Sequence, residues 1–167
     1  MPNRGKRPTA SEAPGEPSKT KKLRQTVLGD GKKGLDFASW SVTDSLAIFT
    51  PPNTKNSSKV LALDMDGTII VPASGRVFPK DANDWKLMLT NIPEVLKRYD
   101  NEGFKVVILS NQSSFKKDRS KLPEFQVKVQ EVVAKLGLPI QVFLSLQDDM
   151  NRKPRTGLWQ ALERVIA

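Results

Sequence analysis

Three short apolar runs punctuate the chain, and each is followed at once by polar residues. Val60–Leu63 ends at Asp64, Val106–Leu109 ends at Ser110-Asn111-Gln112, and Ile140–Leu144 ends a few residues before Asp148-Asp149. Short apolar runs bounded by turn residues read as buried strands. Between them the apolar positions switch to helical spacing. Val95, Leu96 and Tyr99 follow Asn91, a candidate cap, and Pro93, which suits a first turn. Phe125, Val129, Val132, Val133 and Leu136 form the stripe of a second helix that starts near Pro123 and stops at Gly137. A last helix from about Thr156 is expected to bury Leu158, Trp159, Leu162, Val165 and Ile166.

Ile69–Val71 and Arg76–Phe78 flank Pro72-Ala73-Ser74-Gly75, a pattern that predicts a small hairpin. Trp85 reads as a core or lid anchor. Upstream, Phe37, Trp40, Leu46, Ile48 and Phe49 suggest a segment packed on the domain, with Ile48-Phe49-Thr50 as a short edge strand. Strands alternating with helices predict an α/β fold, a Rossmann-like parallel sheet with right-handed crossovers and helices on both faces. A parallel sheet places its chemistry at the carboxyl ends of its strands.

Composition narrows what that chemistry is. The chain of 167 residues contains no cysteine and no histidine. Disulfides, thiolate zinc sites, histidine-ligated metals and histidine-based nucleophilic catalysis are therefore excluded within it. A hard cation held by oxygen ligands remains open. The net charge is +9, from 27 basic and 18 acidic side chains, which favours polyanionic partners. No stretch approaches the ~20 apolar residues of a membrane span, and no membrane partner is expected. Residues 1–35, rich in Pro, Lys and Arg, read as a disordered basic tail, with Lys19–Arg24 as a candidate nuclear address. Residues 36–167 read as one domain.

The strand ends supply Asp64 and Asp66 from the first strand and Ser110 from the second, with Lys153 in the loop after the third. A carboxylate nucleophile, a second carboxylate for proton transfer, a hydroxyl donor and an ammonium make a coherent phosphoryl-transfer site. A carboxylate is already ionised near neutral pH, so it needs no activating base. Its like-charged substrate calls for a divalent cation and a lysine.

Asp64-Met65-Asp66-Gly67-Thr68 resembles the first motif of the haloacid dehalogenase superfamily, Leu109-Ser110-Asn111-Gln112 its second, and Lys153-Pro154 its third. Ser74–Pro79, Asp84-Trp85, Lys121–Pro123, Lys135–Val142 and Arg152–Trp159 further resemble the phosphatase domain of polynucleotide kinase/phosphatases. The resemblance spans about residues 37 to 167 and implies a haloacid dehalogenase-like fold, capless or with a minimal hairpin cap. It implies that Asp64 attacks phosphorus to form an aspartyl-phosphate, and that Asp66 protonates the leaving oxygen and then activates water. It implies Mg²⁺ bound by the Asp64 carboxylate and the Asp66 backbone carbonyl. Ser110 would hold the phosphoryl oxygens, with Gly67, Thr68 and Asn111 beside it, and Lys153 would position Asp64.

Lys116, Lys117, Arg119 and Lys121, with Phe115 among them, read either as a solvated loop or as contacts to a DNA backbone. Arg76 is a further candidate for that contact. Asp148 and Asp149 read as loop residues. An open, basic site suits a phosphate at the end of a polymer, and the resemblance implies Mg²⁺-dependent removal of 3′-phosphate from DNA ends in strand-break repair. The expected setting is the nucleus, as a monomer, with DNA repair proteins as further partners. A capless small-molecule phosphatase of the histidinol-phosphate type and a non-catalytic DNA-end binder stay open. The resemblance also implies a fourth, acidic motif that would complete the Mg²⁺ site. That motif is missing before Ala167, so the expectation is a truncated sheet and weakened activity.

Overall fold

The computed structural model describes residues 39–166; the tail of 1–35 and Phe37 lie outside the described residues. In chain order come β1 (Ser39–Val42), β2 (Leu46–Thr50), β3 (Val60–Leu63), β4 (Ile70–Val71), β5 (Lys86–Leu87), α1 (Ile92–Asn101), β6 (Lys105–Asn111), a 3₁₀ turn over Ser113–Lys116, α2 (Leu122–Leu136), β7 (Gln141–Ser145) and α3 (Gly157–Ile166). The main sheet runs β1-β2-β7-β6-β3. β3 and β7 lie parallel to β6, on either side of it, whereas β2 is antiparallel to β7 and β1 antiparallel to β2. The sheet is thus mixed, with a parallel part that carries the motif-bearing strand ends.

The central strands β6 and β7 are buried almost end to end, as expected when both faces are covered. Val106, Ile108, Val142 and Leu144 belong to one core, with Leu96 of α1 and Val129, Val132, Val133 and Leu136 of α2. Val107, Leu109 and Phe143 belong to a second core on the other face, with Leu158, Ala161 and Leu162 of α3. Gly137 ends α2 in the left-handed conformation, φ 70°, and its N–H bonds the carbonyls of Val133 and Ala134.

Four local expectations are corrected. The strand expected at 48–50 is longer and is not an edge, because β1 covers its outer side and Trp40 stacks on Phe49 with ring centroids 5.1 Å apart. β3 is only partly buried, since it lies outermost among the described strands with β6 as its one neighbour. Arg76–Phe78 forms no strand: β4 pairs with β5, Ile70 opposite Leu87, and Val77 and Phe78 stand 86% and 79% exposed. The reason lies in Asp84, whose carboxylate accepts from the Ser74 and Lys80 N–H groups and the Ser74 hydroxyl, closing the segment as a loop. In α3, Trp159 and Val165 face outward, and the indole N–H donates to Glu163 one turn on at 2.8 Å.

Candidate active site

Parallel strands end on the same side of a sheet, and here the ends of β3 and β6 are in register, Leu63 opposite Ile108. Asp64 therefore emerges beside Leu109. Its Oδ1 accepts from the Met65 N–H at 2.9 Å and faces Lys153 Nζ at 2.9 Å. The same ammonium donates to the Leu109 carbonyl at 2.6 Å, which fixes its direction. Asp64 Oδ2 has no partner among the described residues.

Past Asp64 the chain turns sharply. The Met65 carbonyl accepts from Ile69 and Ile70 at 2.9 and 3.0 Å, and Gly67 N–H donates to Ile70 O at 2.8 Å. Gly67 sits at φ 77°, a conformation that strains any residue with a Cβ. This turn leaves the Asp66 side chain exposed, and its own carbonyl accepts no hydrogen bond among the described residues. Thr68 is exposed on the same turn.

Ser110 is 1% exposed. Its hydroxyl oxygen accepts from Gln112 Nε2 at 3.0 Å, which leaves the hydroxyl proton free to donate. The same Gln112 nitrogen donates to Asp66 Oδ2 at 2.6 Å, so one amide ties the second strand end to the second carboxylate. Gln112 is held in turn by its backbone N–H, which donates to Ser145 O at 2.7 Å.

Asn111 lines one cavity with Asp66, Gly67 and Gln112, and it has a structural role besides. Its side-chain amide brackets the backbone of Lys153, accepting from the Lys153 N–H at 2.9 Å and donating to the Lys153 carbonyl at 3.1 Å. It is a positioning residue for the loop that delivers the ammonium. Asn151 anchors that loop from the other side, donating to Ser45 Oγ at 2.9 Å. Gly157 lets the loop close onto α3, its N–H donating to Met150 O at 2.9 Å. Asp148 accepts from Arg155 at 3.0 Å; that hydrogen bond, with the Arg152 and Lys116 charges, holds its carboxyl below the usual range. Asp149 accepts from the Asn151 N–H. Both acids organise the loop.

The basic residues divide. Arg119 is partly committed, its guanidinium bonding the carbonyls of Thr43 and Asp44. Lys116 and Lys117 are exposed. Arg76 lines a cavity of about 890 Å³ with Asp66, Gly67, Gln112 and Lys128. Lys121 lines an adjoining hollow of about 510 Å³. Gln112 and Lys128 were not among the expected site residues. Gln112 was legible only as part of the second motif. Lys128 carried one signal, a charged residue on the apolar stripe of α2 at Phe125 plus three.

The Asp64 carboxylate and the unpartnered Asp66 carbonyl thus stand as hard oxygen donors two residues apart in the chain. Among the described residues no third carboxylate, histidine or cysteine clusters with them. Such a donor set suits Mg²⁺, which binds through one or two carboxylates plus substrate oxygens and keeps several waters.

Residues 59–167 match the family model described as polynucleotide kinase 3 phosphatase. The chain belongs to this family. The match begins at Lys59, so β1 and β2 precede it. Over 127 residues the chain is 38% identical to the bifunctional polynucleotide phosphatase/kinase of Schizosaccharomyces pombe, covering 76% of this chain and 31% of that protein. It is 30% identical over 123 residues to the polynucleotide 3′-phosphatase ZDP of Arabidopsis thaliana, covering 65% of this chain and 17% of the relative. The chain therefore spans less than a third of either relative's length. Among solved structures, a HAD-like phosphatase from Mesorhizobium loti superposes with a TM-score of 0.59 at 22% identity, covering 74% of this chain and 66% of that one. The chain thus has the haloacid dehalogenase-like fold.

Proposed function

We propose that this protein removes the terminal phosphate from polynucleotide 3′ ends, acting on DNA breaks in the nucleus as a Mg²⁺-dependent phosphomonoesterase. The observation that supports this most is the 2.9 Å approach of Lys153 Nζ to Asp64 Oδ1, with the ammonium braced on Leu109 O. It leaves Asp64 Oδ2 as the nucleophilic oxygen, oriented by its neighbour. Oδ2 forms a bond to phosphorus as the bond from phosphorus to the sugar O3′ breaks. Asp66 gives its proton to O3′, from the carboxyl oxygen that Gln112 does not occupy. In the second step Asp66 takes a proton from water, the water oxygen bonds phosphorus, and the acyl-phosphate bond breaks to release inorganic phosphate and restore Asp64. Ser110 donates its hydroxyl proton to a phosphoryl oxygen, and Lys153 offsets the charge that gathers there. Mg²⁺, held by the Asp64 carboxylate and the Asp66 backbone carbonyl, would supply the further positive charge that lets two anions approach.

The test is phosphate release from a 3′-phosphorylated oligonucleotide and from free sugar phosphates, with and without Mg²⁺, by the chain and by Asp64→Asn. The expected result is Mg²⁺-dependent release from the oligonucleotide, falling at least about 10³-fold in the variant. Preference for free sugar phosphates would favour a small-molecule phosphatase instead. Oligonucleotide binding without turnover would leave an end-binding protein.

A further inference from the structure

Two lysines of the described chain are buried, and they differ in one respect. Lys105, 4% exposed, donates to the Lys55 carbonyl at 2.9 Å and reaches the Asn56 side chain. Lys128, also 4% exposed, is in none of the ion pairs among the described residues, and its Nζ keeps a little contact with solvent. Its ammonium lies over the ring of Phe125, 5.4 Å from the centroid. A cation–π contact offsets only part of the cost of taking an ammonium out of water. Burial accordingly pulls its pKa down, while the more distant Asp66 and Asp84 charges push it partly back.

The place of this ammonium says what would complete it. Lys128 lines both the cavity that contains Asp66 and the hollow beyond it, on the wall the two share with Gln112 and Phe125. Asp64 and Lys153 line neither. The reacting phosphate thus has its own ammonium at the strand ends, and Lys128 stands a step further along. The first cavity carries Arg76, Lys86 and Lys128 against Asp66 and Asp84, an excess of positive charge. In the second hollow Lys80, Lys121 and Lys128 are balanced by Asp81, Asp118 and Glu124. This favours one anion near Lys128 over a long track of them.

We propose that Lys128 is a specificity residue that binds an internucleotide phosphodiester next to the terminal nucleotide. It makes the site select a polymer end over a mononucleotide. This rests on the phosphatase reading for the identity of the polymer, and the experiment separates the two. Lys128→Met keeps the length and apolar stem of the side chain, and Lys128→Arg keeps the charge.

Binding is measured for an oligothymidylate ending in a 3′-hydroxyl, which has diesters and no terminal phosphate, and for inorganic phosphate. Lys128→Met should weaken the oligothymidylate about tenfold and lower its salt slope by about one. Inorganic phosphate should be unaffected, and Lys128→Arg should retain oligothymidylate binding. In turnover, KM should rise for the 3′-phosphorylated oligothymidylate with kcat unchanged, and neither should change for thymidine 3′-monophosphate. The thermal midpoint of Lys128→Met should hold or rise, because a buried charge is removed. Unchanged oligothymidylate binding overturns the proposal. So does an equal loss for inorganic phosphate, which would put Lys128 on the terminal phosphate, or a lowered midpoint with both ligands lost. The binding contrast without turnover on any substrate supports the Lys128 assignment and counts against the phosphatase reading alone.

Discussion

On the strand-end side of the cavity that Asp66 lines, each side chain proposed to react has a fixed partner. Lys153 is tied to Asp64 and to the Leu109 carbonyl, and Gln112 joins Ser110 to Asp66. On the facing wall, formed by the 72–85 insertion and α2, one carboxylate holds the loop together. Asp84 collects Ser74 and Lys80, while Val77 and Phe78 stand in solvent and Lys128 waits without a partner. The contrast matches two different demands. Bond-making needs atoms held within fractions of an ångström, whereas holding a strand of varied sequence needs charge and adaptable surface.

The comparison breaks hardest if the rigid wall is loosened from behind. A Cβ at Gly157 would press on the Met150 carbonyl and lie 2.6 Å from Asn151 Oδ1. Gly157→Ala should therefore shift the loop that carries Lys153, lowering phosphate release about 10²-fold and unfolding stability by about 1–3 kcal/mol. Denaturant melts and turnover of a 3′-phosphorylated oligonucleotide check both. Stability and turnover like those of the parent chain would show that the loop can yield. Asn111→Ala removes both hydrogen bonds to the Lys153 backbone and nothing from the substrate. It should lower kcat about tenfold with KM nearly constant; a rise in KM alone would return Asn111 to substrate contact.

The smallest effect belongs to the facing wall. Asp84→Asn should leave turnover of a small phosphomonoester within about twofold while speeding proteolysis between residues 73 and 84. The Ser74 hydroxyl, then the Lys80 N–H, lowers the Asp84 carboxyl pKa from 3.8 to about 2. A depressed carboxylate stabilises fully above its unfolded value and loses that contribution as pH falls through the folded one. Amide protection factors at Ser74 and Lys80, with the intrinsic pH dependence of exchange divided out, should hold down to about pH 4 and fall towards pH 2. Exchange that is already fast at neutral pH would mean that Asp84 does not close this loop.

What was legible in the sequence follows the same division. The strand ends were readable because β3, β6 and β7 announce themselves as apolar runs, and a parallel sheet brings their last residues to one edge. Asp64, Asp66 and Ser110 are placed there by topology, and Lys153 by the loop that Asn111 and Asn151 hold. The insertion was misread because Val77 and Phe78 have strand-forming side chains, and pattern cannot see that Asp84 captures the backbone N–H groups a ladder would need. The backbone partners of Arg119 and Asn111 lie far away in sequence, so no local pattern shows them. Lys128 went unnoticed because a lysine on an amphipathic helix is ordinarily solvated, and only the packing reveals that this one is enclosed.

The turn between β1 and β2 has a practical consequence. It receives Arg119 at Thr43 and Asp44, Asn151 at Ser45 Oγ and the Leu146 N–H at the Ser45 carbonyl, all from segments around the cleft. Yet it lies upstream of Lys59, where the family match starts. A shortened version begun at that homology boundary would discard the struts that hold the machinery upright and bare the flank of β7. The unit that the family model describes is smaller than the unit that must be kept whole.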